Sequence, residues 1–234
     1  MSAFPSLILV HGSWHGPWAW EPLIEQLPGV NVHALALPAT GTDPLTLGDM
    51  YDDAAVIKSA VEAVGGPVVV VAHSSGGIPT TEGAFGDNVR RLVYLTAFQL
   101  DVEESLLSAI GGVPAPWWDV HEQAEPKGKG FLRPKGPEEI FFNDCSPADA
   151  KQYSSQLTLQ SWAGVTQPVT RTAWRSAPST YIVCEDDNAL PVFGQEAMAQ
   201  RADRVVRLAA GHDPFLSRPK EVAALLLEEL DAAR

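Results

Sequence analysis

The sequence predicts an α/β fold: a mostly parallel six-stranded sheet flanked by helices, with a helical cap inserted late in the chain. Three observations lead there. Six short, mostly apolar runs alternate with segments of helical period, the rhythm of strands joined by crossover helices. One run holds Val68-Val69-Val70-Val71-Ala72 without polar alternation, so it belongs at the centre of a parallel sheet, covered on both faces. Between about Leu106 and Ala177 the rhythm breaks and a Trp- and Phe-rich stretch intervenes.

Taken in order, Leu7–Val10 is the first strand. Trp20, Leu23, Ile24 and Leu27 then share one face of a short helix, followed by a strand at Val30–Leu37. Met50, Ala54, Ile57, Val61 and Val64 recur every three or four residues and mark a longer amphipathic helix. The central strand is Val68–His73, followed by a helix through Phe85 and a strand at Val89–Leu95. The aberrant stretch contains Trp117, Trp118, Phe131, Phe141, Phe142, Trp162 and Trp174, with a loop-like Glu125-Pro126-Lys127-Gly128-Lys129-Gly130. A regular strand–helix repeat has no need of such length. Residues 106–176 are therefore expected to be a cap over a core made of 1–105 and 177–234. Most of its aromatics are expected to form the cap's own core, with one or two facing a ligand. Strands Thr180–Cys184 and Val205–Leu208 complete the sheet. Val222, Leu225, Leu226 and Leu230 set the apolar face of a last helix, with Ser217 and Pro219 as its start signal. No internal repeat is evident.

With 234 residues, 45% hydrophobic and 19% charged, the chain can bury a large core without disulfides or metals. Its formal charge of −13 repels phosphate backbones and anionic lipid, which argues against nucleic-acid and membrane partners. Cys145 and Cys184 are too few for a disulfide framework or a metal cluster and are expected to be reduced, half-buried thiols. The first ten residues have no basic residue and only Leu7-Ile8-Leu9-Val10 as an apolar run, which is not a signal peptide. No stretch approaches the roughly 20 apolar residues that span a bilayer. A cytoplasmic location is the expectation.

The chemistry concentrates at the end of the central strand, in Ala72-His73-Ser74-Ser75-Gly76-Gly77. A nucleophile elbow is a strand, a sharp turn with serine at its tip, then a helix. Small residues must flank the serine two positions away on each side, because the turn brings backbones together. Ser74 meets that condition with Ala72 and Gly76; Ser75 would put the His73 ring in the crowded place. A serine hydroxyl needs a base. Of His11, His15, His33, His73, His121 and His212, only His212 lies beyond the last strand; His73 should point away from the tip, and His33 lies within a strand. The acid should follow the strand before, where Glu185, Asp186 and Asp187 adjoin; Asp187 is the first choice and Asp186 the second. An oxyanion hole would come from the backbone N–H groups of Ser13, after the first strand, and of Ser75. Gly12, Trp14, Trp117, Trp118 and Phe142 are the candidate pocket residues. No metal or other cofactor is expected.

With these residues in place, the chain resembles the α/β-hydrolase superfamily, in the small branch of plant methyl-ester esterases, hydroxynitrile lyases and their bacterial relatives. The resemblance rests on Leu9-Val10-His11-Gly12-Ser13-Trp14-His15-Gly16-Pro17-Trp18-Ala19-Trp20, on Ala72-His73-Ser74-Ser75-Gly76-Gly77, on Tyr181-Ile182-Val183-Cys184 with Asp187 and Leu190-Pro191, and on His212 with Leu216 and Pro219. Ala72 stands where the elbow more often has glycine. The resemblance implies the α/β-hydrolase fold and a triad of Ser74, Asp187 and His212, and it favours Asp187 over Asp186. The start near Phe4 suggests that the antiparallel strand pair of larger relatives is absent. The lyases use a lysine directly after the histidine and an early threonine; here Asp213 and Gly12 stand in those places, and a carboxylate repels cyanide. The expectation is a serine hydrolase of a small apolar or aromatic carboxylic ester. Lactone hydrolysis or acyl transfer by the same residues, and a low-turnover binding protein of this fold, are the alternatives. The expected partner is a small-molecule ester, and a homodimer is left open beside the monomer.

Overall fold

The computed structural model describes residues 4–124 and 128–234. The remainder, including Glu125, Pro126 and Lys127 of the loop expected from the sequence, lies outside the described residues. In chain order the strands are β1 (Ser6–Val10), β2 (Val32–Ala34), β3 (Thr40–Gly41), β4 (Val68–His73), β5 (Val89–Leu95), β6 (Trp118–Ala124), β7 (Gly128–Pro134), β8 (Leu159–Ser161), β9 (Ser179–Cys184) and β10 (Arg204–Leu208). The α-helices are α1 (Glu21–Ile24), α2 (Met50–Val64), α3 (Gly77–Glu82), α4 (Leu106–Ala109), α5 (Pro137–Ile140), α6 (Pro147–Ser154), α7 (Trp162–Thr166), α8 (Val192–Ala199), α9 (Pro214–Ser217) and α10 (Pro219–Ala232).

The six strands expected from the sequence form one sheet in the order β2-β1-β4-β5-β9-β10, with every neighbouring pair parallel. β4 is buried along its whole length, as its unbroken apolar run requires, and β1 beside it is too. Helix α2 begins with a capping box in which Asp49 accepts from the N–H groups of Tyr51 and Asp52, and Asp52 accepts from that of Asp49. It ends at Gly65, whose φ of 64° suits glycine. Met50, Ala54, Ile57 and Val61 are buried, as their spacing predicts.

Four local expectations need correction. β2 is shorter than Val30–Leu37, and the helix after the elbow stops at Glu82. Ser217 is not the start of α10: it ends α9 and donates its hydroxyl to Asp144, while Pro219 alone marks the first turn of α10. Cys184 is fully buried, not half-buried, and both thiols are free.

The largest departure lies between β5 and β9. Short helices α4 to α7 are there, but so is an antiparallel sheet of β6, β7 and β8, which β3 joins from far upstream. This stretch is therefore not purely helical. Gly128, Lys129 and Gly130, expected in a loop, belong to β7. The small sheet lies beside the carboxyl ends of the large one: Ser161 N–H bonds the Ala39 carbonyl, and Thr158 N–H bonds that of Trp14.

Candidate active site

Four turns meet at the carboxyl edge of the large sheet. The turn after β4 is an elbow, in which Ser74 has φ 52°, left-handed space that a residue with a side chain enters only under constraint. Tight packing supplies that constraint. A Cβ on Gly76 would lie 2.4 Å from the His11 carbonyl oxygen, and one on Gly77 would lie 2.5 Å from that of Phe98. The Ser74 carbonyl accepts from Phe98 N–H at 3.0 Å, which ties the elbow to the chain after β5.

From the loop after β10, His212 reaches Ser74, its Nε2 3.0 Å from the hydroxyl. Its Nδ1 is 2.7 Å from Asp187 Oδ2, brought by the loop after β9. Asp187 is held in turn by the hydroxyl of Thr96 at 2.5 Å and by the N–H groups of Ala189 and Leu190 at 2.7 and 2.8 Å. Gln195 adds a longer contact of 3.4 Å. Glu185 and Asp186 are exposed, so of the three adjacent acids only Asp187 faces the imidazole. Thr96 and Gln195 are missed by a reading of motifs. Thr96 has φ 38°, a constrained conformation that the sequence does not announce.

Burial alone would lower the His212 imidazole, but the charge and hydrogen bond of Asp187, with a smaller pull from Asp213, hold it above its ordinary 6.5. His73 lies directly beneath, its ring 4.6 Å from that of His212, with Nε2 donating to the His212 carbonyl at 2.9 Å. It points away from the serine tip, as expected. Burial, then the neighbouring His212 and His15, push it well below the usual range. His73, His212 and Asp213 place potential ligating atoms within 4.8 Å of one another. Both ring nitrogens of His212 are already committed to Ser74 and Asp187, which leaves no ligand set there for a metal.

The turn after β1 brings the Ser13 N–H to the elbow. It donates to the Ser75 hydroxyl at 2.6 Å, and the hydroxyls of Ser13 and Ser75 are 2.7 Å apart. The carbonyls of this turn face the other way. His11 Nδ1 donates to the Gly12 carbonyl at 2.9 Å, and His15 Nδ1 to that of Ser13 at 2.8 Å. Burial lowers His11 to about 4, so it is a neutral clamp. Its Nε2 accepts the Leu37 N–H.

A cavity of about 800 Å³ opens over Ser74, Ser75, Ser13 and His212. Trp14, Trp117, Trp118 and Phe141 line it from the small-sheet side, and Phe98 and Leu190 from the large-sheet side. Two expected pocket residues do not line it. Phe142 is buried behind Phe141 against His15 and Tyr153, and Phe141 takes the wall position instead. Gly12 lies under the elbow, where a Cβ would be 2.7 Å from that of Ser74, so its role is close approach.

Chemically, an imidazole between a hydroxyl and a carboxylate can take the hydroxyl proton and keep its tautomer fixed while doing so. Comparisons with known proteins agree with the fold. A "probable hydrolase" of Phoma sp. is 33% identical over 243 residues, covering 96% of this chain and 97% of that one. Methylesterase 7 of Arabidopsis thaliana is 28% identical over 251 residues, covering 96% and 95%. The crystal structure of polyneuridine aldehyde esterase superposes with a TM-score of 0.79 at 24% identity, covering 96% of this chain and 98% of that one. Residues 7–225 match the alpha/beta hydrolase family, and the chain belongs to that family.

Proposed function

We propose that the protein is a serine hydrolase of apolar or aromatic carboxylic esters. The observation that carries this reading is the unbroken relay from the Ser74 hydroxyl through His212 to Asp187. Ser74 Oγ attacks the ester carbonyl as its proton passes to His212 Nε2. Asp187 keeps the Nδ1 hydrogen in place and stabilises the imidazolium without taking the proton. The developing oxyanion is received by the N–H groups of Ser13 and Ser75, the Ser75 hydroxyl turning away from Ser13 N–H to admit it. Each such donor contributes roughly 3–4 kcal/mol to the transition state. The C–O bond to the leaving group then breaks, and the alcohol takes its proton from His212. Water attacks the acyl-enzyme with His212 as base, releasing the acid and restoring Ser74.

The substrate class follows from the walls. Trp14, Trp117, Trp118 and Phe141 offer aromatic faces around a cavity of about 800 Å³, within the range that encloses drug-sized ligands. Relatives named as methylesterases and an esterase support ester cleavage as the reaction. The test is turnover of an aryl acetate by wild type and by Ser74→Ala. Loss of a triad serine removes about six orders of magnitude in kcat. A fully active alanine variant overturns the proposal.

A further inference from the structure

The turn that would bind the oxyanion rests on two side chains that the proposed reaction leaves unused. His15 and Asp213 are both buried, 198 positions apart in the chain, with His15 Nε2 2.9 Å from Asp213 Oδ2. The other ring nitrogen of His15, Nδ1, reaches the Ser13 carbonyl at 2.8 Å. A carbonyl only accepts, so Nδ1 carries a hydrogen. The Nε2–Oδ2 contact then requires a second hydrogen, on the ring or on the carboxyl. His15 is thus held at both nitrogens, and one proton is shared with Asp213 away from solvent.

Asp213 could have served its own helix. It occupies the N-cap position of α9, where an aspartate side chain ordinarily accepts from the first-turn N–H groups. It makes no such bond. Its carboxylate turns inward to His15 instead, and its second oxygen lies 3.3 Å from His73 Nε2. Nor does it compete with Asp187 for His212, whose Nδ1 is bound to Asp187.

The turn needs holding. Trp14, the residue after the clamped carbonyl, has φ 66°, a left-handed conformation that a residue with a side chain adopts only under constraint. Thr158 N–H holds the Trp14 carbonyl at 2.8 Å, and the Trp14 indole N–H bonds the Leu132 carbonyl at 3.0 Å. Those bonds fix the far side of the turn, and His15 fixes the side nearest the serine.

We propose that His15 and Asp213 are a positioning pair that locks the Ser13 turn to the loop carrying His212, so that oxyanion donor and base keep a constant separation. The proposal rests on the hydrolase reading above, because only a developing oxyanion gives the Ser13 N–H a use. Neither residue touches substrate. A misplacement of about 1 Å in such a constellation costs on the order of a hundredfold in rate.

The test compares His15→Ala, His15→Asn, Asp213→Asn and the double variant His15→Ala/Asp213→Asn. Each is measured for kcat and KM on an aryl acetate, affinity for phenylboronic acid and thermal unfolding. The boronate becomes tetrahedral on Ser74 and places an oxygen where the oxyanion would sit. Expected for His15→Ala is a ten- to hundredfold fall in kcat, KM within about threefold of wild type, and boronate binding weakened in step with kcat. Asparagine places an N–H near the position of Nδ1 but has no atom at the place of Nε2. His15→Asn therefore recovers part of that loss, the share due to the Ser13 carbonyl, and not the share due to Asp213. The double variant is no slower than the slower single variant, as expected of residues acting together.

Wild-type kcat and boronate affinity in His15→Ala would overturn the proposal. So would a loss that asparagine does not recover even in part and that tracks only the fall in unfolding temperature. Should His15→Ala not fold, Asp213→Asn with His15→Asn decides by the same split between kcat and KM. If wild type itself neither hydrolyses the ester nor binds the boronate, it is the hydrolase reading that fails.

Discussion

His212 is pulled in opposite directions. Removal from water disfavours its charged form, while Asp187 at 2.7 Å favours it, and the balance leaves the imidazole above 6.5. A base must be neutral to accept the serine proton, so activity is absent at low pH and rises as the imidazole loses its proton. The acid-side midpoint of kcat/KM is expected above pH 6.5, measured on an aryl ester of pH-independent stability. A midpoint at or below 6 contradicts this balance. Ser75 offers a second test at the same scale. Its hydroxyl occupies the Ser13 N–H in the free protein, so Ser75→Ala is expected to leave kcat/KM unchanged or raise it by up to about tenfold. A hundredfold fall, the size of a lost oxyanion donor, shows that the hydroxyl itself is a donor. Ser74 and His212 are legible in the sequence because each follows a recognisable strand; Asp187 is legible only as one of three adjacent acids after such a strand, with the family resemblance favouring it. Thr96, Gln195, His15 and Asp213 are not legible, because each gains its meaning from a partner that only the fold supplies. Thr96 and Asp187, for example, lie 91 positions apart.

At the scale of elements, all six strands of the large sheet are legible: the fully covered β4 reads as an unbroken apolar run, while the half-exposed edge strands β2 and β10 read as mostly apolar runs with polar residues between. The segment over the site is harder. β6 and β7 pair Val120 with Leu132 and His121 with Phe131, whose rings stack at 4.5 Å. β3 is two residues long and comes from upstream of α2, so no local pattern in 106–176 foretells it. The aromatic content does foretell a wall. Trp117 and Trp118 sit edge to face at 5.9 Å, and each also meets Trp14. Cutting both back to alanine is expected to lower kcat/KM for aryl esters at least tenfold relative to short-alkyl esters, since each aromatic contact contributes about 0.5–1.5 kcal/mol beyond its buried area. Unchanged relative rates would remove these two rings from substrate selection.

Across the whole molecule, the sheet brings distant chemistry to one edge. The turn after β1 carries Ser13, that after β4 carries Ser74, that after β9 carries Asp187, and that after β10 carries His212. Parallel strands all present their carboxyl ends on the same side, which is why ligands of open α/β sheets bind there. The frame is fastened at the far strand: buried Glu229 of α10 accepts from Arg91 of β5, from Arg204 of β10 and from Thr180 of β9. Among the described residues, no helix is long and apolar enough to cross a membrane.

The central claim is that Ser74 is activated by His212 and Asp187, and a fluorophosphonate tests it most directly. Intact mass after brief exposure should show one adduct per chain, with peptide mapping placing it on Ser74. Ser74→Ala should take up none, and Asp187→Asn should react far more slowly, since losing the orienting acid costs roughly four orders of magnitude in comparable triads. An adduct elsewhere, or labelling of Ser74→Ala at the wild-type rate, would contradict the account.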